Sequence, residues 1–155
     1  MKLRKFIGAV FGLLLFLTWA CQGEEACLSN QHAVQVGMYS TWTDEDKDTT
    51  LSNVSLVGME KTDSIYQDED VSELFMPLDF EKDTTTFVLS AQTLRDTLSF
   101  VYSSELDFIS GDCGYIFSFE LDTILHTRAF IDSASVSYPS VEYGESFENI
   151  KLYIY

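Results

Sequence analysis

Gly114-Tyr115-Ile116-Phe117-Ser118-Phe119-Glu120-Leu121-Asp122 carries the clearest period-two pattern in the chain. Tyr115, Phe117, Phe119 and Leu121 alternate with Ile116, Ser118, Glu120 and Asp122. Successive side chains of an extended backbone point to opposite faces, so this pattern predicts a strand with one buried face. The same period returns on both sides of it. Leu98, Phe100 and Tyr102 alternate with Thr97, Ser99 and Val101 upstream, and Phe87 with Leu89 marks another strand before that. Val54 and Leu56 share a face within residues 51–59, and Val34, Val36 and Met38 do so near the start. Downstream, Phe130 opens a segment in which Ala134, Val136 and Tyr138 share a face with Asp132, and Ile150, Leu152 and Ile154 close the chain.

Polar stretches at residues 43–50, 67–73, 81–84, 111–112 and 142–148 read as turns between these strands. No stretch has a convincing helical period, although residues 90–95 suit a single turn. Pro77 and Pro139 belong in connections or at sheet edges, because proline donates no ladder hydrogen bond. Seven to nine short, turn-separated strands predict an all-β domain over residues 31–155. The expected fold is an antiparallel β-sandwich, immunoglobulin-like or a related Greek key. The terminal Lys151-Leu152-Tyr153-Ile154-Tyr155 is expected to pair within a sheet.

The start of the chain reads differently. Lys2, Arg4 and Lys5 precede an apolar run of residues 6–17, then Thr18-Trp19-Ala20-Cys21. This is the layout of a secretory signal, and the run is shorter than the roughly 20 residues of a membrane-spanning helix. Ala20-Cys21 resembles a bacterial lipobox, although Thr18 and Trp19 depart from its usual residues. The expectation is a signal peptide over residues 1–20, lipidation at Cys21 and a tether over residues 21–30. The alternative is ordinary cleavage after Ala20. Gln22-Gly23-Glu24-Glu25 resembles the short acidic signal of surface-exported lipoproteins.

Loss of residues 1–20 removes three of nine Lys+Arg and none of the 25 Asp+Glu, leaving a formal net charge of −19. Such a chain is repelled by nucleic acid, so no nucleic-acid partner is expected. With Cys21 assigned to lipid, Cys27 and Cys113 remain. In an oxidising compartment a single disulfide is the default, two separate buried thiols the alternative.

Few motifs suggest chemistry. Asp44-Glu45-Asp46-Lys47-Asp48 begins like a calcium loop, but Thr49 and Ser55 stand where an EF-hand needs Gly and Glu. It reads as a solvated loop, as does Asp68-Glu69-Asp70. His32 and His126 have no second ligand at matching spacing and read as half-exposed strand residues. No nucleophile turn is present, so no catalytic residue, metal or cofactor is expected. Asp-Thr/Ser triplets recur at Asp48-Thr49-Thr50, Asp63-Ser64-Ile65, Asp83-Thr84-Thr85, Asp96-Thr97-Leu98, Asp122-Thr123-Ile124 and Asp132-Ser133-Ala134. They resemble an O-glycosylation sequon of exported Bacteroidota proteins, which makes Thr49, Ser64, Thr84, Thr97, Thr123 and Ser133 candidate acceptors. Turn-forming Asp followed by strand-forming Thr or Ser explains the same pattern.

A family resemblance rests on four features in order. They are the lipid-type Cys21 with Cys27 nearby, Met76-Pro77-Leu78, the strand Asp96-Thr97-Leu98-Ser99-Phe100-Val101-Tyr102, and Phe108-Ile109-Ser110-Gly111-Asp112-Cys113-Gly114-Tyr115. Together they resemble an uncharacterised Bacteroidota lipoprotein family, domain of unknown function 6452. The resemblance implies a small β-rich lipoprotein with a Cys27–Cys113 pair and no known activity. The functional expectation is a non-enzymatic module of the cell envelope, lipid-anchored in the outer membrane, that binds an envelope protein or a glycan. Its alternatives are a hydrolase accessory with a carboxylate site and a calcium-stabilised module. Tyr39, Trp42, Tyr66, Tyr143 and Tyr153 are the aromatic candidates for a binding surface, each equally readable as packing.

Overall fold

The computed structural model describes Cys27, residues 33–42, Asp46 and residues 48–155. The chain forms β1 (Ala33–Ser40), β2 (Leu51–Gly58), β3 (Ser64–Val71), β4 (Glu73–Pro77) and β5 (Thr84–Ala91). It continues with β6 (Leu94–Ser110), β7 (Gly114–His126), β8 (Ile131–Val136), β9 (Ser140–Val141) and β10 (Ile150–Ile154). A four-stranded sheet runs β4-β1-β10-β8, and a six-stranded sheet runs β3-β2-β5-β6-β7-β9. No helix occurs among the described residues. The architecture is the expected all-β sandwich.

Alternation places the core. Val34, Val36 and Met38 of β1, Leu74 and Met76 of β4, and Ile150, Leu152 and Ile154 of β10 are buried from one sheet. Val54 and Leu56 of β2, Phe87 and Leu89 of β5, Leu98, Phe100 and Tyr102 of β6, and Phe119 and Leu121 of β7 meet them from the other. Each large apolar side chain removed from water in this way contributes about 1.5–3 kcal/mol.

Three features depart from the sequence expectation. Among the described residues every strand pair is antiparallel except β1 and β10, which run parallel with Met38 opposite Leu152. Side-chain alternation is blind to strand direction, so the first and last strands give no sign of meeting in the middle of one sheet. Residues 67–73, expected as a turn, hold the end of β3 and the start of β4, with Ser72 between them. β3 is an edge strand that gives only Tyr66 and Val71 to the core, so Gln67, Asp68, Glu69 and Asp70 stay exposed on it and erase the pattern. Charge on an edge also discourages pairing with another chain. Residues 90–95 make a tight β-turn rather than a helical turn, since Ala91 pairs with Leu94 around Gln92 and Thr93. With β3, β4 and the two-residue β9 added, ten strands replace the expected seven to nine.

Candidate functional site

The segment between β4 and β5 crosses from one sheet to the other at the end of the sandwich where Tyr102 lies. The Tyr102 hydroxyl donates to the Asp79 carbonyl (2.6 Å) and accepts from the Asp79 N–H (3.0 Å). It also lies 2.6 Å from the Thr85 hydroxyl. The Tyr102 N–H donates to the Asp83 carbonyl at 3.0 Å. Burial pushes the phenol pKa up, so it stays neutral and able to donate. Its ring packs edge-on against Phe119 at 5.4 Å.

Pinned at Asp79 and Asp83, the crossing segment projects Phe80 outward, where it stacks on Phe117 at 5.0 Å. Between this segment and residues 58–65 lies an open cleft of about 670 Å³. Met59, Ile65, Leu78 and Phe80 supply its apolar lining, and Met59, Ile65 and Phe80 are exposed. Lys82 pairs with Glu60 across it and lies 3.7 Å from Asp79. A concave site of this size, with apolar side chains beside Glu60, Lys61, Asp63, Asp79, Glu81 and Lys82 in its lining, suits a ligand. A second, smaller cavity of about 190 Å³ lies beside Gln35, Phe75, Glu142 and Phe147.

The stacked pair leads onto a longer apolar surface. Tyr102, Leu106 and Phe108 share the inward face of β6, opposite Leu121, Phe117 and Tyr115 of β7. Tyr102, Phe119 and Leu121 are covered by the sandwich, but Leu106, Phe108 and Tyr115 are 56%, 61% and 67% exposed. Phe108 and Tyr115 pack edge to face at 5.2 Å. Cys113, in the turn joining these strands, is bonded to Cys27 with the sulfurs 2.01 Å apart.

The structure scatters the remaining candidates. Cys21 and His32 lie outside the described residues. Ser64 and Thr123 are exposed, whereas Thr49, Thr84, Thr97 and Ser133 are half-buried, and the six do not converge. The Ser64 hydroxyl already donates to the Tyr66 carbonyl at 2.7 Å. His126 is half-buried at the end of β7, its Nδ1 2.9 Å from the Thr127 carbonyl. Asp46, from the acidic run, accepts hydrogen bonds from Lys151 and from the Tyr153 hydroxyl (3.0 Å), which hold its carboxyl below the ordinary range. Asp132 is held low in the same sense, chiefly by the Tyr155 hydroxyl at 2.6 Å. Among the described residues no three of His, Cys, Asp or Glu converge to hold a metal. Of the aromatic candidates, Trp42 is 81% exposed, Tyr39 and Tyr153 pack together at 5.8 Å, and the Tyr66 hydroxyl accepts from the Phe75 N–H. The apolar surface instead uses Phe80, Leu106, Phe108 and Tyr115. Alternation marks Tyr115 as an ordinary inward position, and nothing local signals that the facing sheet stops short of it.

No curated protein and no solved structure matches the chain. A family model described as a family of unknown function, DUF6452, matches residues 53–154, from within β2 to the last residue of β10. That span takes in both walls of the cleft and the whole β6–β7 hairpin, and the chain belongs to this family.

Proposed function

We propose that the protein is a lipid-anchored envelope module that binds an apolar segment of another envelope protein in the cleft between residues 58–65 and 77–87. The observation that carries the binding reading is the cleft itself, lined by Met59, Ile65, Leu78 and Phe80 and continued by the Phe80–Phe117 stack. Exposed apolar residues gathered in a concave site favour a partner over solvent. The anchor reading is supported by the charged start, the apolar run and Ala20-Cys21.

The test is photocrosslinking in intact envelopes from a reactive residue at position 80. The expected result is one discrete adduct, lost with Met59→Asp or Ile65→Asp and absent when the reactive residue replaces Glu120, which is exposed on β7. Equal labelling from positions 80 and 120 would refute a site at the cleft.

A further inference from the structure

We infer that the β6–β7 hairpin is a membrane-contacting foot, which seats its Leu106–Phe108–Tyr115 face in the bilayer that holds the acyl chains of Cys21. The inference rests on the lipid-anchor reading of Cys21 and goes beyond it by assigning a second, non-covalent contact and an orientation.

Chain length and the disulfide together choose the occupant. Without a crosslink the domain would hang from Ala33, the first residue of β1, twelve residues after Cys21. An extended chain of that length reaches about 40 Å. The Cys27–Cys113 bond moves the attachment point to the turn of the hairpin. Six residues then separate it from Cys21, a reach of about 20 Å at most. The headgroup layer on each side of the hydrocarbon core is only about 5–8 Å thick. The hairpin turn is therefore the part of the domain that the anchor holds closest to the lipid.

The same end is built with two faces. Leu106 and Phe108 pair with Phe117 and Tyr115 on one face, and the exposure of Leu106, Phe108 and Tyr115 is unrelieved by the facing sheet. Glu105 and Asp107 of β6 occupy the alternate positions, opposite Ser118 and the half-buried Ile116 of β7, and Asp107 accepts from the Ser118 hydroxyl. An apolar face flanked by a charged one lies flat in a membrane interface, and tyrosine is at home at headgroup level. Glu105, Asp107 and Asp112 make an anionic surface unfavourable, so the expected bilayer is zwitterionic.

The experiment uses the acylated full chain reconstituted in phosphatidylcholine vesicles. Trp42→Phe removes the exposed indole, and Tyr115→Trp supplies a reporter, with Phe108→Trp as a second in case the first disturbs the hairpin. The expected result is blue-shifted emission, quenching by lipids brominated in the upper acyl chain, and protection from aqueous iodide. Leu106→Asp should abolish the bromolipid quenching while the protein still floats with the vesicles. Quenching should also fall when Cys27→Ser and Cys113→Ser free the hairpin. A reporter that stays open to iodide in floating vesicles overturns the inference and leaves the anchor standing. Protection from iodide without bromolipid quenching means that a second copy covers the face, which also overturns it. An intact mass without acyl chains at Cys21, taken on the chain purified from envelopes before reconstitution, refutes the anchor and the inference together.

Discussion

At the scale of single residues, Asp96 shows how one buried carboxylate can hold a crossing between sheets. It is 1% exposed and accepts four hydrogen bonds. They come from the Thr127 hydroxyl (2.6 Å) and from the N–H groups of Ala129 (2.7 Å), Phe130 (2.8 Å) and Ile131 (2.9 Å). Burial pushes its pKa up. The Phe130, Thr127, Ala129 and Ile131 donors outweigh that and leave it below its ordinary 3.8. The bond network turns the chain out of β7 and into β8. Asp96→Ala leaves three backbone donors without their acceptor and is expected to cost about 2–4 kcal/mol, measurable by urea unfolding. A carboxyl whose folded pKa is depressed contributes its stability above the unfolded value and loses it as pH falls through the folded value. The difference between wild type and Asp96→Ala should therefore be complete at pH 6 and shrink below about pH 4. One Asp-Thr/Ser triplet thus has a structural cause, since its Asp organises residues 127–131 and its Thr97 N–H donates to the Thr127 hydroxyl at 2.8 Å. Nothing at position 96 of the sequence separates this buried carboxylate from the solvated ones, because its donors lie more than 30 residues away.

At the scale of elements, the hairpins decide how much of the pattern becomes core. The β5–β6 turn is closed by Gln92 with φ of 54°, in the left-handed region that glycine occupies at no steric cost. Gln92→Gly should raise stability by about 0.5–1 kcal/mol, read as an increase in Tm, because the two-residue turn demands that backbone and Gln resists it. The β6–β7 hairpin is longer than its cover, and its tip is held by the bond to Cys27 across a sequence separation of 86. Replacing both cysteines by serine should lower stability by about 4–5 kcal/mol on the chain-entropy account. A loss below about 1 kcal/mol in guanidinium unfolding would mean that the unfolded chain gains little freedom from opening that loop. β3 shows the opposite limit. It forms because β2 offers it a partner, although its residues 67–70 carry no apolar side chain.

At the scale of the whole molecule, charge and topology dominate. With 23 of the chain's 25 acidic residues and six of its nine basic ones, residues 31–155 concentrate on folding like charges that the unfolded chain spreads apart. Raising NaCl from about 0.01 to 0.5 M should increase stability by roughly 1 kcal/mol, or about 4 °C in Tm, as screening shortens the reach of that repulsion. A fall in Tm over the same range would show that ion pairs such as Lys151–Asp46 outweigh it. The sequence by itself determined the all-β class, most of the strands and the inward-facing residues of β1, β2, β5, β6, β7 and β10. Period two is a local property, and each of those strands carries its own copy of it. Only the tertiary structure decided that β1 and β10 run parallel, that acidic residues 67–70 form an edge strand, and that Asp96 is buried. It also decided that the apolar face of residues 106–117 emerges from the sandwich to meet Phe80. These depend on which strand lies opposite and where a facing sheet ends. Such relations join residues far apart in the chain, and local alternation carries no record of them.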